Sequence, residues 1–323
     1  MSSDWKVPPA VQPRPQAYDF DLDRALSSVV GLTTSIPVDA FTADTLGRER
    51  AGHGVLIRED GIVLTIGYLI TEASSVWLTT HDGRVVPGHV IGFDGETGFG
   101  LVQALGRLDV PAMPLGSSAD LEPGDPVVIA GAGGRRRSVA AQVVMRQEFA
   151  GYWEYVLDDA LFVAPSHPHW GGTAVIGESG ELLGIGSLQL QQDEAQDRSQ
   201  SINMVVPIDL LKPILPDMLR QGQADRPPRP WLGLFAAEIG GQVTIAGVVS
   251  GGPAEAAGLQ VGDVVVGVAD AQPRDLAAFF RSVWNAGPAG TEVMLRLLRD
   301  GRPVDVAVAS ADRMRLLKRP VLH

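Results

Sequence analysis

The stretch GHGVLIREDGIVLTIGYLI, residues 52–70, decides the fold. Two short apolar runs, 55–57 and 62–66, flank the turn Glu59-Asp60-Gly61, which is the pattern of a tight hairpin. The same texture spreads in both directions. SVWLTT (75–80), VVPGHVIGF (85–93), PVVIAGA (126–132) and ELLGIGSL (181–188) are short apolar runs, and His81-Asp82-Gly83 is a second hairpin turn. Many short strands separated by Gly and Asp turns over 52 to about 190 describe a β-sandwich or β-barrel. The polar run QQDEAQDRSQ (191–200) reads as a loop.

Outside this block the pattern becomes helical and then β again. Leu22, Ala25, Leu26 and Val29 predict a helix over 21–30, capped by Asp21 or Asp23. Residues 207–221 read as a helix that Pro213 and Pro216 must bend. QGQADRPPRP (221–230) has linker composition. Strands are expected near 231–237, 243–249, 263–268, 291–298 and 303–309. A helix near 274–284 carries Leu276, Phe279, Phe280 and Val283 on one face.

Composition excludes several function classes. At about 150 residues per domain, 323 residues suggest two domains. A net charge of −12 argues against nucleic-acid or anionic-membrane binding, both of which need a basic surface. No apolar run is long enough to span a bilayer. The absence of Cys rules out disulfides, thiolate metal sites and a Cys nucleophile. The start, MSSDWKVPPAVQPRPQAYDF, lacks a basic segment followed by an apolar core, and its prolines predict an extended arm. On that reading the location is cytoplasmic.

The order of motifs from about residue 25 to 312 resembles the HtrA (DegP-like) family. Residues 52–65 resemble its glycine-rich strand and turn, and LTTHDGRVVPGHVIGFDGETG (78–98) resembles the approach to its catalytic Asp. MPLGSSADLEPGDPVVIAG (113–131) and SINMVVPIDLLKPIL (201–215) resemble the opening and exit of its second barrel. PAEAAGLQVGDV (253–264) resembles the PDZ signature. The resemblance implies a mainly β fold, a chymotrypsin-like double β-barrel followed by a PDZ domain. The expected division is an extended arm over 1–20, a protease-like domain over 21–206, a linker over 207–230, a PDZ domain over 231–312 and a tail over 313–323.

The resemblance also implies a Ser-His-Asp site, and this chain departs from it at every position. Tyr68 stands at the His position, Gly98 at the Asp position and Trp170 at the Ser position. A phenol with a pKa near 10 is a poor base, Gly has no carboxylate and an indole is no nucleophile. Pro168 stands where an oxyanion N–H would come from and has none to give. One such donor is worth roughly 3 kcal/mol of transition-state stabilisation, and the triad roughly a factor of 10⁶. The expectation is therefore a pseudoprotease with no catalytic residues and no enzyme activity. It would act as a scaffold, accessory or chaperone-like subunit. The alternative is a rewired endopeptidase using Ser166 or Thr173 with His167 or His169.

Two further groups stand out. His167 and His169 flank Pro168 and are weak candidates for metal ligands, with His53 or His89 joining through the fold. No cofactor and no resident metal are expected. In the second domain Trp231, Leu232, Gly233 and Leu234 resemble the loop by which PDZ domains hold a peptide C-terminus. Gly233 would let the backbone amides face a carboxylate, and the peptide would add as a strand beside the helix, with Phe279, Phe280 and Val283 as pocket wall. The expected partner is a protein or a peptide C-terminus. A homotrimer is also expected, with Tyr18 and Phe20 as aromatic anchors.

Overall fold

The computed structural model describes residues 5–194 and 198–319. The chain divides into two compact units. The first comprises residues 1–147, 159–225 and 317–323, and the second 148–158 and 226–316.

The first unit contains two closed barrels of six antiparallel strands. Strands β1 (Val29–Ser35), β2 (Glu49–Arg58), β3 (Ile62–Ile66), β4 (Ser75–Thr79), β5 (Val85–Phe93) and β6 (Phe99–Ala104) close in the order β1-β2-β3-β6-β5-β4. The Glu59-Asp60-Gly61 turn joins β2 to β3 as the sequence predicts, with Gly61 at φ 92°. Strands β7 (Pro126–Ala130), β8 (Ser138–Gly151), β9 (Tyr155–Ala164), β10 (Ala174–Ile176), β11 (Leu182–Glu194) and β12 (Arg198–Pro207) close in the order β10-β11-β12-β9-β8-β7. Closure gives each strand of a barrel a neighbour on both sides. Alternate residues of the second barrel point inward, so Val127, Ile129, Val139, Leu161, Val163 and Val205 share one core, which Val7 of the N-terminal arm completes.

Three elements differ from the sequence reading. The first helix runs only Leu22–Ser27, capped by Asp21, whose Oδ1 accepts from the Arg24 amide at 3.0 Å. It stops there because Val29 and Val30 join β1, where their branched side chains are buried. The run 191–200 is not all loop. Strands β11 and β12 continue as a paired ribbon to Glu194 and from Arg198, and residues 195–197 lie outside the described residues. Residues 207–221 split at the prolines into a 3₁₀ turn, Ile208–Leu210, and the helix Leu215–Gln221 with Pro216 in its first turn.

The second unit is a five-stranded antiparallel sheet with a short helix, Pro253–Ala256, and a longer one. The strands are β13 (Leu234–Ile239), β14 (Gln242–Val248), β15 (Val264–Val268), β16 (Glu292–Arg299) and β17 (Arg302–Ala309), paired in that order. The helix Leu276–Asn285 is capped by Asp275, whose Oδ1 accepts from the Ala278 amide at 2.7 Å. Its apolar face (Leu276, Phe279, Phe280, Val283) is buried against Leu234, Ala236, Ile245 and Leu295. Each large side chain so buried contributes about 1.5–3 kcal/mol. Asp263 is buried and accepts two 2.7 Å bonds from Arg299, which holds the Asp263 carboxyl below the usual carboxylate range. Residues 148–158 add a hairpin to this unit, and its Val156 lies in the same core cluster.

Candidate functional site

The three positions of interest in the first unit converge. Strand β3 ends in the 3₁₀ turn Gly67–Leu69, which presents Tyr68. The Gly67 amide donates to the Gly98 carbonyl at 2.7 Å, tying that turn to the Asp94–Phe99 loop, where Asp94 accepts from the amide and the hydroxyl of Thr97. Gly98 sits at φ 85°, a conformation that disfavours any side chain there. The Tyr68 hydroxyl donates to the Ser187 carbonyl at 2.9 Å and lies against Gly171, where a Cβ would come within 2.7 Å of it. Burial pushes the phenol above its usual range, with a contact to Trp170 opposing the shift.

The turn around Tyr68 is held from behind by Arg50. Its buried guanidinium donates to the carbonyls of Tyr68 (2.7 Å), Thr71 (3.1 Å), Gly47 (3.0 Å) and Thr42 (3.2 Å). On the other side, the Gly171 carbonyl accepts from the His53 amide at 2.9 Å, and Gly172, at φ 77°, packs so closely that a Cβ would lie 1.9 Å from the His53 carbonyl. The frame joining the turn at 68, the loop at 98 and the loop at 170–172 is thus closely held. It holds a phenol, a bare backbone and a half-buried indole.

The His-Pro-His loop is committed to structure. His167 is buried, and its Nε2 donates to the Arg137 carbonyl at 3.0 Å while its Nδ1 accepts from the His169 amide at 3.1 Å. Neither nitrogen is left for a hydroxyl or a metal. Trp5 packs on His167 and His169 with ring centroids 5.2 and 4.7 Å away. His53 stands 5.7 Å from His167, and its Nδ1 accepts from the Ala132 amide at 3.1 Å. Burial drives His167 down to about 4 and His53 down to about 3, so both are neutral at pH 7. Among the described residues no group of three His, Cys, Asp or Glu is placed to hold a metal ion.

In the second unit the backbone amides of the loop 231–234 converge on one side chain, that of Glu154. Gly233 adopts φ 76°, and a Cβ there would lie 2.9 Å from the Trp231 ring. That turn aims three amides at one carboxylate. Leu232 donates to Glu154 Oε2 at 3.0 Å, and Gly233 and Leu234 donate to Oε1 at 2.8 and 3.2 Å. Burial pushes the Glu154 carboxyl up to about 7, against the three amides and the charge of Arg313. Two residues earlier, the Tyr152 carbonyl accepts from the Ala236 amide of β13 at 2.9 Å, and the Tyr152 ring lies 5.7 Å from Phe235. Phe279, Phe280 and Val283 are fully buried, so the structure corrects their reading as an open pocket wall. They are core residues of a cluster that also takes Val156. Sequence reasoning missed Glu154. Its only local signal is a charge at the tip of an aromatic hairpin, FAGYWEY.

Comparison with known proteins agrees with these two constructions. A trypsin-like peptidase domain model matches residues 52–185, and a PDZ domain model matches residues 226–309. The chain resembles HtrA-type proteins, in which these two domains follow one another. "Serine protease Do-like HtrA" of Bacillus subtilis is 24% identical over 280 residues, which is 78% of this chain and 61% of the relative. "Periplasmic serine endoprotease DegP" of Escherichia coli is 26% identical over 274 residues, 79% of this chain and 56% of the relative. This chain thus spans little more than half the length of these curated relatives. A solved HtrA-type protease, AlgW with a decapeptide, shares the fold with a TM-score of 0.54 at 21% identity, covering 93% of this chain and 98% of that one.

Two expectations are overturned by these findings. The reading that the chain is no enzyme does not stand, because its relatives are named serine proteases and endoproteases and the family is one of enzymes. It rested on positions 68, 98, 168 and 170, and a lost Ser-His-Asp set and oxyanion donor remove one mechanism rather than a family's activity. The cytoplasmic reading does not stand either, since the E. coli relative is named periplasmic. It rested on the composition of the first residues of the chain.

Proposed function

We propose that this HtrA-like chain captures the carboxylate end of a protein segment at residues 231–234, and that its protease-type barrels serve as the body that holds and presents the captured protein. The observation that carries this reading is the convergence of the Leu232, Gly233 and Leu234 amides on one carboxylate at 2.8–3.2 Å. Bonds from these amides to an ionised terminal carboxylate would be charge-assisted, worth about 1.5–3 kcal/mol each. Strand β13 beside the loop supplies the edge on which a peptide adds as a further strand. Peptide-bond hydrolysis of the family's kind needs a nucleophile and a base, and any such activity in this chain must draw them from outside positions 68, 98 and 170. The periplasmic relatives support an extracytoplasmic setting.

The test is fluorescence polarisation of the full chain with a pool of labelled peptides ending in apolar residues, each made with a free and an amidated C-terminus. Free peptides should bind at least about tenfold more tightly, since 1.4 kcal/mol is a factor of ten. Equal binding of the two forms, or none below millimolar, rejects carboxylate capture. Incubation with casein, read for new fragments, reports separately on the family's protease activity.

A further inference from the structure

The carboxylate loop has an occupant, and the occupant belongs to the chain itself. Glu154 meets all three amides of the loop. The Tyr152 carbonyl pairs with β13 through the Ala236 amide, as the backbone of an added strand would two residues before its terminal carboxylate. At the base of the hairpin, Arg281 of the helix Leu276–Asn285 binds both Glu148, at 2.5 Å, and Asp158. Val156 lies in the core of the unit, with Ala150 packed against it. Residues 148–158 therefore meet both β13 and the helix, the two elements a peptide ligand would lie between.

The backbone at the tip is a second, independent observation. Glu154 sits at φ 62°, in the left-handed region that costs a non-glycine residue about 1–2 kcal/mol. Gly and Asn take that conformation most readily. Glutamate in that conformation is explained by what its carboxylate reaches.

We propose that residues 148–158 are a built-in ligand of the PDZ unit, with Glu154 in the seat of a peptide's terminal carboxylate, so that an incoming C-terminus binds by displacing them. This rests on the reading of the loop as a site of carboxylate capture. The ligand class follows from the seat: a free C-terminus strong enough to beat a tethered carboxylate whose effective concentration is of millimolar order. The apparent affinity for a free peptide is lowered by the fraction of chains in which the seat is open.

The experiment compares the full-length chain with Glu154→Gln, which keeps the shape of the side chain, and with Glu154→Gly, which removes it and relieves the left-handed backbone. Thermal melts establish that all three are folded. Polarisation with the labelled pool of free-carboxylate peptides then reads affinity. Both variants should bind at least tenfold more tightly than the unaltered chain, which corresponds to a seat filled in more than about 90% of molecules. Equal affinity in all three overturns the built-in ligand and leaves carboxylate capture standing. Weaker binding by the variants also overturns it, because Glu154 then belongs to the receptor surface. No binding by any of the three folded proteins overturns carboxylate capture, and the built-in ligand with it.

Discussion

Raising the pH should loosen the hold of the loop on Glu154. The carboxyl is pushed up to about 7 when seated, against 4.5 for a free glutamate, with burial as the largest cause. Seating therefore takes up a proton. The stabilisation is fully present below pH 4.5 and is lost as the pH rises through 7. The charged neighbours are Arg313, which faces the carboxylate, and the Arg281–Glu148–Asp158 cluster at the hairpin base. At 1.36 kcal/mol for each pH unit between the two values, the full effect is roughly 3 kcal/mol. About 2 kcal/mol of it falls between pH 5.5 and 8, or a factor of roughly 30 in the seating equilibrium. Amide hydrogen exchange at Leu232, Gly233, Leu234 and Ala236 reads this directly, once the intrinsic base-catalysed rates are divided out. Protection should fall by about that factor from pH 5.5 to 8 in the unaltered chain and stay flat in Glu154→Gln. Protection that is constant or rises with pH in the unaltered chain would refute the reasoning, because the three amides and Arg313 would then outweigh burial and keep the seated group ionised.

Three substitutions probe the frames around the two sites. Gly233→Val puts a branched side chain at φ 76° and a Cβ 2.9 Å from the Trp231 ring, so peptide affinity should fall at least tenfold, with about 1–2 kcal/mol of strain visible in thermal melts. Gly172→Ala drives a Cβ to 1.9 Å from the His53 carbonyl, and should cost about 3 kcal/mol or more in denaturant unfolding. Arg50→Met leaves the carbonyls of Tyr68 and Thr71 without their side-chain donor, a loss of about 3–5 kcal/mol measured the same way.

Much of this architecture was legible in the residues. Short apolar runs and Gly turns at Gly61 and Gly83 marked the barrel strands, and the 3.6-residue spacing of Leu276, Phe279, Phe280 and Val283 marked the helix. What failed did so for physical reasons. Val29 continues a helical stripe and also suits a strand, and the tertiary pairing of β1 with β2 decides between them. The ribbon from 188 onward emerges from the barrel, where Leu188, Gln189 and Leu190 are only half-buried, so no buried face imposes an alternation that the sequence would display. Glu154 could not be found locally at all. The amides it meets lie 78–80 positions away in the chain, and their geometry comes from the left-handed turn at Gly233.

The central claim is that the amides of residues 232–234 read a carboxylate, and one measurement tests it most directly. A crystal structure of the Glu154→Gln chain with a bound C-terminal peptide should show the terminal carboxylate within about 3 Å of the Leu232, Gly233 and Leu234 amides, with the peptide backbone paired to β13. A peptide bound elsewhere, or one lying on β13 with its carboxylate turned away from those three amides, would contradict the account.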